Sequence, residues 1–320
     1  MQPQTSAVVH APKASRPVEV LPFRSPLGAE VRCGDVRGLD EAAMQVVRAA
    51  YDEHLVLLFR GQKLARGELL EFSKRFGAIV PPTEAEHMTP GQAPRDNDFP
   101  EIAVISNVRK DGVAMGALGD GEVVWHSDFS YRELPLSASL LYSVEVPPVG
   151  GNTGFSNMYL ALEVMPPALR RRIEGKTVKV DATHSGDGRL RGGYSEVTDV
   201  RVSKGVSHPI IRTHPGTGLN TLYLGRRPFA YINGLSIAES ETLLDELWAH
   251  ADQPKFSWHH EWQPEDVLVW DNRCTMHRRD AFDSRERRVM LHANVAGTRP
   301  YFDPQAPTDG KHPRGYAYTG

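Results

Sequence analysis

Cysteine is scarce in this chain: of 320 residues only Cys33 and Cys274 are cysteines. Two thiols make no disulfide framework and fit a reducing compartment, so the expected location is the cytoplasm. Long apolar runs are missing as well. No stretch nears the ~20 residues that span a bilayer, and no membrane partner is expected. The opening residues, MQPQTSAVVHAPKASRP, hold neither a basic leader nor an apolar stretch; they read as a polar tail rather than a secretory signal. An excess of positive charge is absent too. The formal net charge is -3, and the arginine-rich runs at Arg170 to Arg172 and Arg285 to Arg288 are short. Nothing here forms the basic stripe that nucleic acid would need.

What is present is a chain of one-domain length punctuated by Gly and Pro. Val18 to Gly34 alternates apolar and polar residues like a strand pair, and Leu55 to Phe59 is a short apolar run suited to a buried strand. Leu39 to Glu53 and Ala65 to Phe76 carry helical spacing, with Asp35 at the turn before the first and Gly77 as the C-cap of the second. Further strands are expected at Ile102 to Ser106, Leu136 to Glu145, Pro209 to Thr213, Thr221 to Leu224, Val267 to Trp270 and Val289 to Val295. Between them fall helices at Met158 to Glu174 and Ala238 to His250, the latter behind a capping box of Ser236 and Glu239. Pro81 to Asn97 and Ser185 to Gly205 have no period and read as loops, each a lid candidate. The expected architecture is mainly β with flanking helices, a jelly-roll-like double sheet. It forms a single domain over residues 18–304, with tails at 1–17 and 305–320.

The chemistry begins at Trp125-His126-Ser127-Asp128. On a strand, residues two apart face the same way, so His126 and Asp128 can reach one ion together. Such a pair alone is a weak signal in a chain with 13 histidines. His277, just past the expected strand Val267 to Trp270, supplies a third ligand. Two histidines and one carboxylate make a facial triad that leaves positions open, the arrangement of non-haem iron(II) oxygenases. Structural zinc more often takes four His or Cys ligands. Cys274 could be a fourth, or simply a small buried hydrophobe.

Arg288 follows eleven residues after His277 and heads a strand whose Val289, Leu291, Ala293 and Val295 form one face. Arg288, Met290, His292 and Asn294 form the other. By itself Arg288 reads as a surface arginine. At this spacing from a metal ligand it reads as a pocket arginine, which needs an anion, and its fork suits a carboxylate.

These stretches resemble the taurine dioxygenase / 2,4-dichlorophenoxyacetate dioxygenase (TauD/TfdA) family from about Leu21 to Pro300. The matching motifs are LGAE at Leu27, RFG at Arg75, WHSDFSY at Trp125, GGNT at Gly150, HPIIRTHPGTG at His208, WQPEDVLVWDNRCTMH at Trp262 and RRVMLHANVAG at Arg287. The resemblance implies a double-stranded β-helix with iron(II) on His126, Asp128 and His277, and 2-oxoglutarate held by Thr153 and Arg288. It implies decarboxylation of 2-oxoglutarate with dioxygen to succinate and carbon dioxide, coupled to hydroxylation of a small organic substrate. A carboxylate at Asp128, where related halogenases carry a small residue, points to hydroxylation. Homo-oligomers, dimers or tetramers, are expected on the same ground.

The resemblance thins at His292. Sulfonate- and aryloxyalkanoate-cleaving members have a second arginine there, four residues after the first, to pair with an anionic substrate. A histidine lacks that fork, so taurine is discounted, and His292 is either a substrate contact or a histidine satisfied by its neighbours. Glu122, Tyr131 and Phe229 are further substrate candidates, the aromatic ones equally suited to the core. The competing function is a zinc-binding or inactive relative acting as a hydrolase or binding protein; it would leave Thr153 and Arg288 without a task.

Overall fold

The computed structural model describes residues 17–80, 98–120, 123–184 and 189–311. The Pro81 to Asn97 loop and Glu122 therefore lie outside the described residues, as do 185–188 of the second loop.

Two sheets face one another. The larger has eight strands in the order Glu19–Pro22, Ala29–Arg32, Val56–Phe59, Val267–Asp271, Leu136–Glu145, Val289–Ala296, Ala103–Ser106 and Ala117–Leu118. The smaller has four, in the order Ser257–His260, Thr153–Asn157, Thr275–Arg279 and Val123–His126. Period-2 alternation assigns the faces of the large sheet. Leu57, Phe59, Val267, Val269, Leu140, Tyr142, Leu291, Ala293 and Val295 pack with helices Glu41–His54 and Arg66–Lys74. Val56, Leu58, Leu268, Trp270, Leu141 and Met290 turn inward and meet Phe155 of the small sheet. The small sheet is covered outside by helices Met158–Glu163, Pro167–Ile173 and Ile237–Ala251. This is the expected jelly roll, and the space between its sheets is where the candidate ligands point.

Several local expectations need correction. The helix foreseen over Met158 to Glu174 is two, Met158–Glu163 and Pro167–Ile173. Pro166 and Pro167 cannot donate to the preceding turn, and Pro167 instead opens the new helix, where its missing N–H is not needed. Pro209 to Thr213 is also two strands, Gly205–Pro209 and Ile211–Thr213. The chain changes partner between them: Gly205–Pro209 pairs with Thr177–Asp181, and Ile211–Thr213 with Asn220–Leu222. Asp35 does sit at the turn before the first long helix, capping the short 3-10 element Val36–Gly38, and Asp40 caps the helix itself through Ala43 N. Gly77 is not a C-cap. Its helix ends at Lys74, and a Cβ on Gly77 would stand 2.8 Å from Val295 Cγ1, so the glycine serves close packing on the sheet. Residues 305–311, assigned to a C-terminal tail, are tied back: Asn157 Nδ2 donates to Gly310 O and Lys311 O, and Asn220 Nδ2 to Ala306 O.

Candidate metal and cosubstrate site

His126 ends its strand and His277 sits opposite it, in register, on Thr275–Arg279. Asp128 is not on the strand as expected; the strand stops at His126, and Asp128 lies in the turn that follows. That turn is pinned by Ser127 N donating to Gly225 O and Ser127 Oγ to Thr275 O. Its curl brings the carboxylate back under the histidines. Asp128 Oδ1 stands 3.5 Å from His126 Nε2 and 3.6 Å from His277 Nε2.

The histidines turn the correct nitrogens inward. His126 Nδ1 lies 2.8 Å from Val124 O, a carbonyl that can only accept. The proton is therefore on Nδ1, and Nε2 presents a lone pair. His277 is fixed by packing instead, with Trp270 at 4.9 Å and Phe155 at 6.2 Å between ring centroids. Burial, with His126 beside it, pushes His277 down to about 3, so this ring is neutral and able to ligate. Burial alone would raise Asp128, but His277, His126 and His292 outweigh it and hold the carboxyl well below the usual range. Two lone pairs and a carboxylate oxygen facing one point repel unless a cation sits among them. Donor atoms about 2.1 Å from a metal and at right angles stand about 3 Å apart, so a small contraction would close the site. The three residues fit a divalent metal.

The cosubstrate side fits as well. Arg288, just before Val289–Ala296, is 2 % exposed and its Nε has no hydrogen-bond partner. Burial, with the charge of Arg279 added, pushes it down to about 9. An unpaired buried guanidinium is costly, and an incoming carboxylate would relieve it. Space for its stem depends on Gly151 (φ +66), where a Cβ would stand 3.2 Å from Arg288 Cδ and Nε. Thr153, buried at the start of Thr153–Asn157 in the small sheet, accepts a 3.0 Å hydrogen bond from Trp262 Nε1, which leaves its own O–H to donate elsewhere. Thr153 lies two residues from Phe155, and Phe155 pairs with His277, so the candidate anchor and the candidate metal ligand share a face about 7 Å apart along the sheet.

His292 also reaches this space. Its Nε2 is 3.7 Å from Asp128 Oδ2, its ring stacks on Trp270 at 5.8 Å and 8°, and burial pushes its pKa down. Its Nε2 has no hydrogen-bond partner. Tyr131 and Phe229 are placed differently. Arg191 lies 3.9 Å over the Tyr131 ring, and Phe229 stacks on His184 at 3.9 Å. Among the described residues neither stacks on nor hydrogen-bonds to the three metal candidates. His184 is in turn approached by Glu196, whose Oε2 lies 3.3 Å from its Nε2.

Sequence reading missed the polar residues around Asp128. Ser139 Oγ donates to Asp128 Oδ2 at 2.8 Å, and Asn272 Oδ1 accepts from Asp128 N at 3.2 Å. Asn272 lies in the WDN run already singled out, which was the available signal; Ser139, in the middle of an apolar strand, offered none.

Comparison with known proteins decides the family. Residues 19–294 match the family described as "Taurine catabolism dioxygenase TauD, TfdA family". The chain belongs to the TauD/TfdA family. It is similar to the alpha-ketoglutarate-dependent 2,4-dichlorophenoxyacetate dioxygenase of Burkholderia sp. (strain RASC), with 34% identity covering 83% of this chain and 90% of that one. It is also similar to pentalenolactone F synthase of Streptomyces arenae, with 36% identity over 85% and 93% of the two chains. Among solved structures, AAD-2 in complex with Mn(II) and N-oxalylglycine superposes with a TM-score of 0.71 at 30% identity, covering 89% of this chain and 100% of that one. This TauD/TfdA protein is accordingly a 2-oxoglutarate-dependent dioxygenase that uses iron(II) and dioxygen.

Proposed function

We propose that this TauD/TfdA protein hydroxylates a small organic substrate with iron(II) on His126, Asp128 and His277, and 2-oxoglutarate anchored by Thr153 and Arg288. The observation that carries the reading is Arg288. A buried guanidinium without an anion has no structural use in this core, whereas a dicarboxylate beside a metal site gives it one. A zinc-binding or inactive relative would keep that cost and gain nothing from it.

When bound, the iron supplies dioxygen activation, coupling decarboxylation of 2-oxoglutarate to succinate with hydroxylation of the substrate. The chain's own residues bind and orient. Arg288 and Thr153 fix one end of the cosubstrate by charge and by a hydroxyl donor. Phe155, Trp270 and Leu141 keep the inner face apolar, so water has few partners there. His292 offers one ring N–H in place of an arginine fork, so a substrate carboxylate or neutral oxygen would be met by a single hydrogen bond.

The relatives named for 2,4-dichlorophenoxyacetate and phenoxypropionate make aryloxyalkanoic acids the first class to try, although His292 lacks the arginine fork for their carboxylate as it does for a sulfonate, for which no such relative speaks as strongly. Cytoplasmic location and a homo-oligomeric state belong to the same proposal. The location rests on the scarcity of cysteine, with only Cys33 and Cys274, and the oligomeric state on the family resemblance alone. A single catalytic domain over residues 18–304 completes it. Succinate release measured across aryloxyalkanoates, sulfonates, sulfate esters, phosphonates and neutral aromatics tests the reading. Stimulation by an aryloxy acid or a neutral aromatic is expected. Preference for a sulfonate would contradict the substrate class, and no 2-oxoglutarate-dependent succinate with any compound would contradict the site.

A further inference from the structure

The Asp128 carboxylate has two oxygens, and the surrounding hydrogen bonds treat them differently. Oδ1 faces His126 Nε2 and His277 Nε2 at 3.5 and 3.6 Å. Oδ2 is turned from those two histidines and accepts from Ser139 Oγ at 2.8 Å, while His292 Nε2, at 3.7 Å, stays beyond hydrogen-bond distance of it. Three further contacts remove any ambiguity about who donates. Asn272 Oδ1 lies 3.2 Å from Asp128 N and 3.1 Å from Trp270 Nε1, both of which can only donate, so the amide orientation is settled. The Asn272 Nδ2 group therefore points at Ser139 Oγ, 2.7 Å away, and donates to it. With that lone pair used, the single Ser139 proton has two acceptors in reach. They are the Asp128 carboxylate at 2.8 Å and the neutral Asn294 Oδ1 at 3.3 Å, and the charged, nearer one takes it.

The contacts close into a ring: Asp128 N to Asn272, Asn272 to Ser139, Ser139 back to Asp128 Oδ2. Its members come from three places, the turn after Val123–His126, the centre of Leu136–Glu145 and the end of Val267–Asp271. Ser139 is completely buried and Asn272 is 1 % exposed, so water does not compete for these bonds. Ser139 is held by its neighbours on both sides, paired with Trp270 and with Asn294.

We propose that Ser139 and Asn272 are positioning residues that select Oδ1 of Asp128 as the ligating oxygen and keep Oδ2 off the metal. A carboxylate held through one oxygen leaves an additional coordination position for the reactants, whereas one free to rotate could chelate through both. The assignment rests on the reading of His126, Asp128 and His277 as metal ligands, and the experiment separates the two. Mn(II) is titrated calorimetrically into the metal-free full-length protein, with thermal unfolding of each metal-free variant recorded alongside.

Tight Mn(II) binding by wild type, abolished in His126→Ala, supports the underlying site; no binding by wild type would overturn that reading and this one together. Given wild-type binding, Ser139→Ala and Asn272→Ala are each expected to weaken Mn(II) about 10- to 100-fold, the usual effect of removing a ligand's hydrogen-bond partner. Because both act through one ring, the double variant is expected to lose little beyond the larger single loss. A lowered unfolding temperature with unchanged Mn(II) affinity would mean a merely structural role and would overturn the assignment. So would fully additive losses. Ser139→Cys keeps the volume with a weaker donor and serves if the alanine variant does not fold; wild-type affinity in that variant would contradict the proposal as well.

Discussion

Two clusters among the described residues bring a histidine, an aspartate and a third ligand-type side chain within ligating distance: His126, Asp128 and His277, and His214, Asp271 and Cys274. Only the first is open. In the second, His214 Nδ1 accepts from Gly216 N and Thr217 N at 3.2 and 3.0 Å, and Nε2 meets Asp271 Oδ2 at 3.0 Å. Arg273 occupies both Asp271 oxygens, at 2.8 and 2.6 Å. Burial would raise Asp271, but Arg273 and His214 outweigh it and keep the carboxylate ionised; burial pushes the Cys274 thiol well up, so it is no thiolate. A metal would have to displace an arginine there. Around Asp128 the hydrogen bonds stop at one oxygen, and three donor atoms are left facing each other. The contrast teaches that a shared ligand inventory decides little; unfinished hydrogen bonding singles out the candidate site.

The comparison is broken most severely by deleting carboxylates. Asp128→Ala is expected to lower succinate release at least about 10³-fold, since several kcal/mol of metal-borne activation is lost. The metal-free protein should unfold at nearly the wild-type temperature. Asp271→Ala should do the reverse: it strands Arg273 and His214 in the interior, at a cost of about 3–5 kcal/mol in denaturant unfolding. Equal stability losses in the two would erase the distinction.

Next in size is Arg288→Met. Removing charge-assisted hydrogen bonds worth about 1.5–3 kcal/mol should weaken 2-oxoglutarate about 10- to 100-fold by titration. The same change should stabilise the apo protein by about 1–2 kcal/mol, because an unpaired buried charge is gone. A destabilised apo protein would show that Arg288 already has its partner.

A smaller effect comes from pH. Burial pushes His208, His250 and His260 down, although Arg132 O, Ala161 O and Asp266 respectively pull the other way. Their folded pKa lies below the unfolded value of about 6.5, so stability is complete above that value. It is lost as pH falls, where the unfolded chain takes up protons that the folded one resists. Apo thermal unfolding should shift down between pH 7.5 and 5.5, and His250→Gln should flatten the slope. The smallest change expected is His292→Ala, with about a tenfold rise in substrate KM, one lost hydrogen bond, and an unchanged 2-oxoglutarate affinity. No change in KM or substrate range would return His292 to a packing role.

Much of this was legible because strands repeat. Alternation along Val289–Ala296 correctly turned Leu291, Ala293 and Val295 to the helices and left His292 and Asn294 opposite. His126 and His277 were found through motif and spacing, although the strand argument for Asp128 failed: a turn, not a pleat, delivers it. Less legible was anything set by distant register. Ser139 meets Asn272 because Leu136–Glu145 pairs with Val267–Asp271, a contact across more than a hundred residues that no local pattern announces. The closed His214 cluster was hidden for the same reason. Glu122 and the Pro81 to Asn97 loop lie outside the described residues.

The most direct test of the central claim is anaerobic addition of iron(II) and 2-oxoglutarate to the apo protein, followed by visible absorption. A charge-transfer band should appear in wild type and in His214→Gln, and be lost in His126→Ala. No band in wild type, or an undiminished band in His126→Ala, would contradict the account.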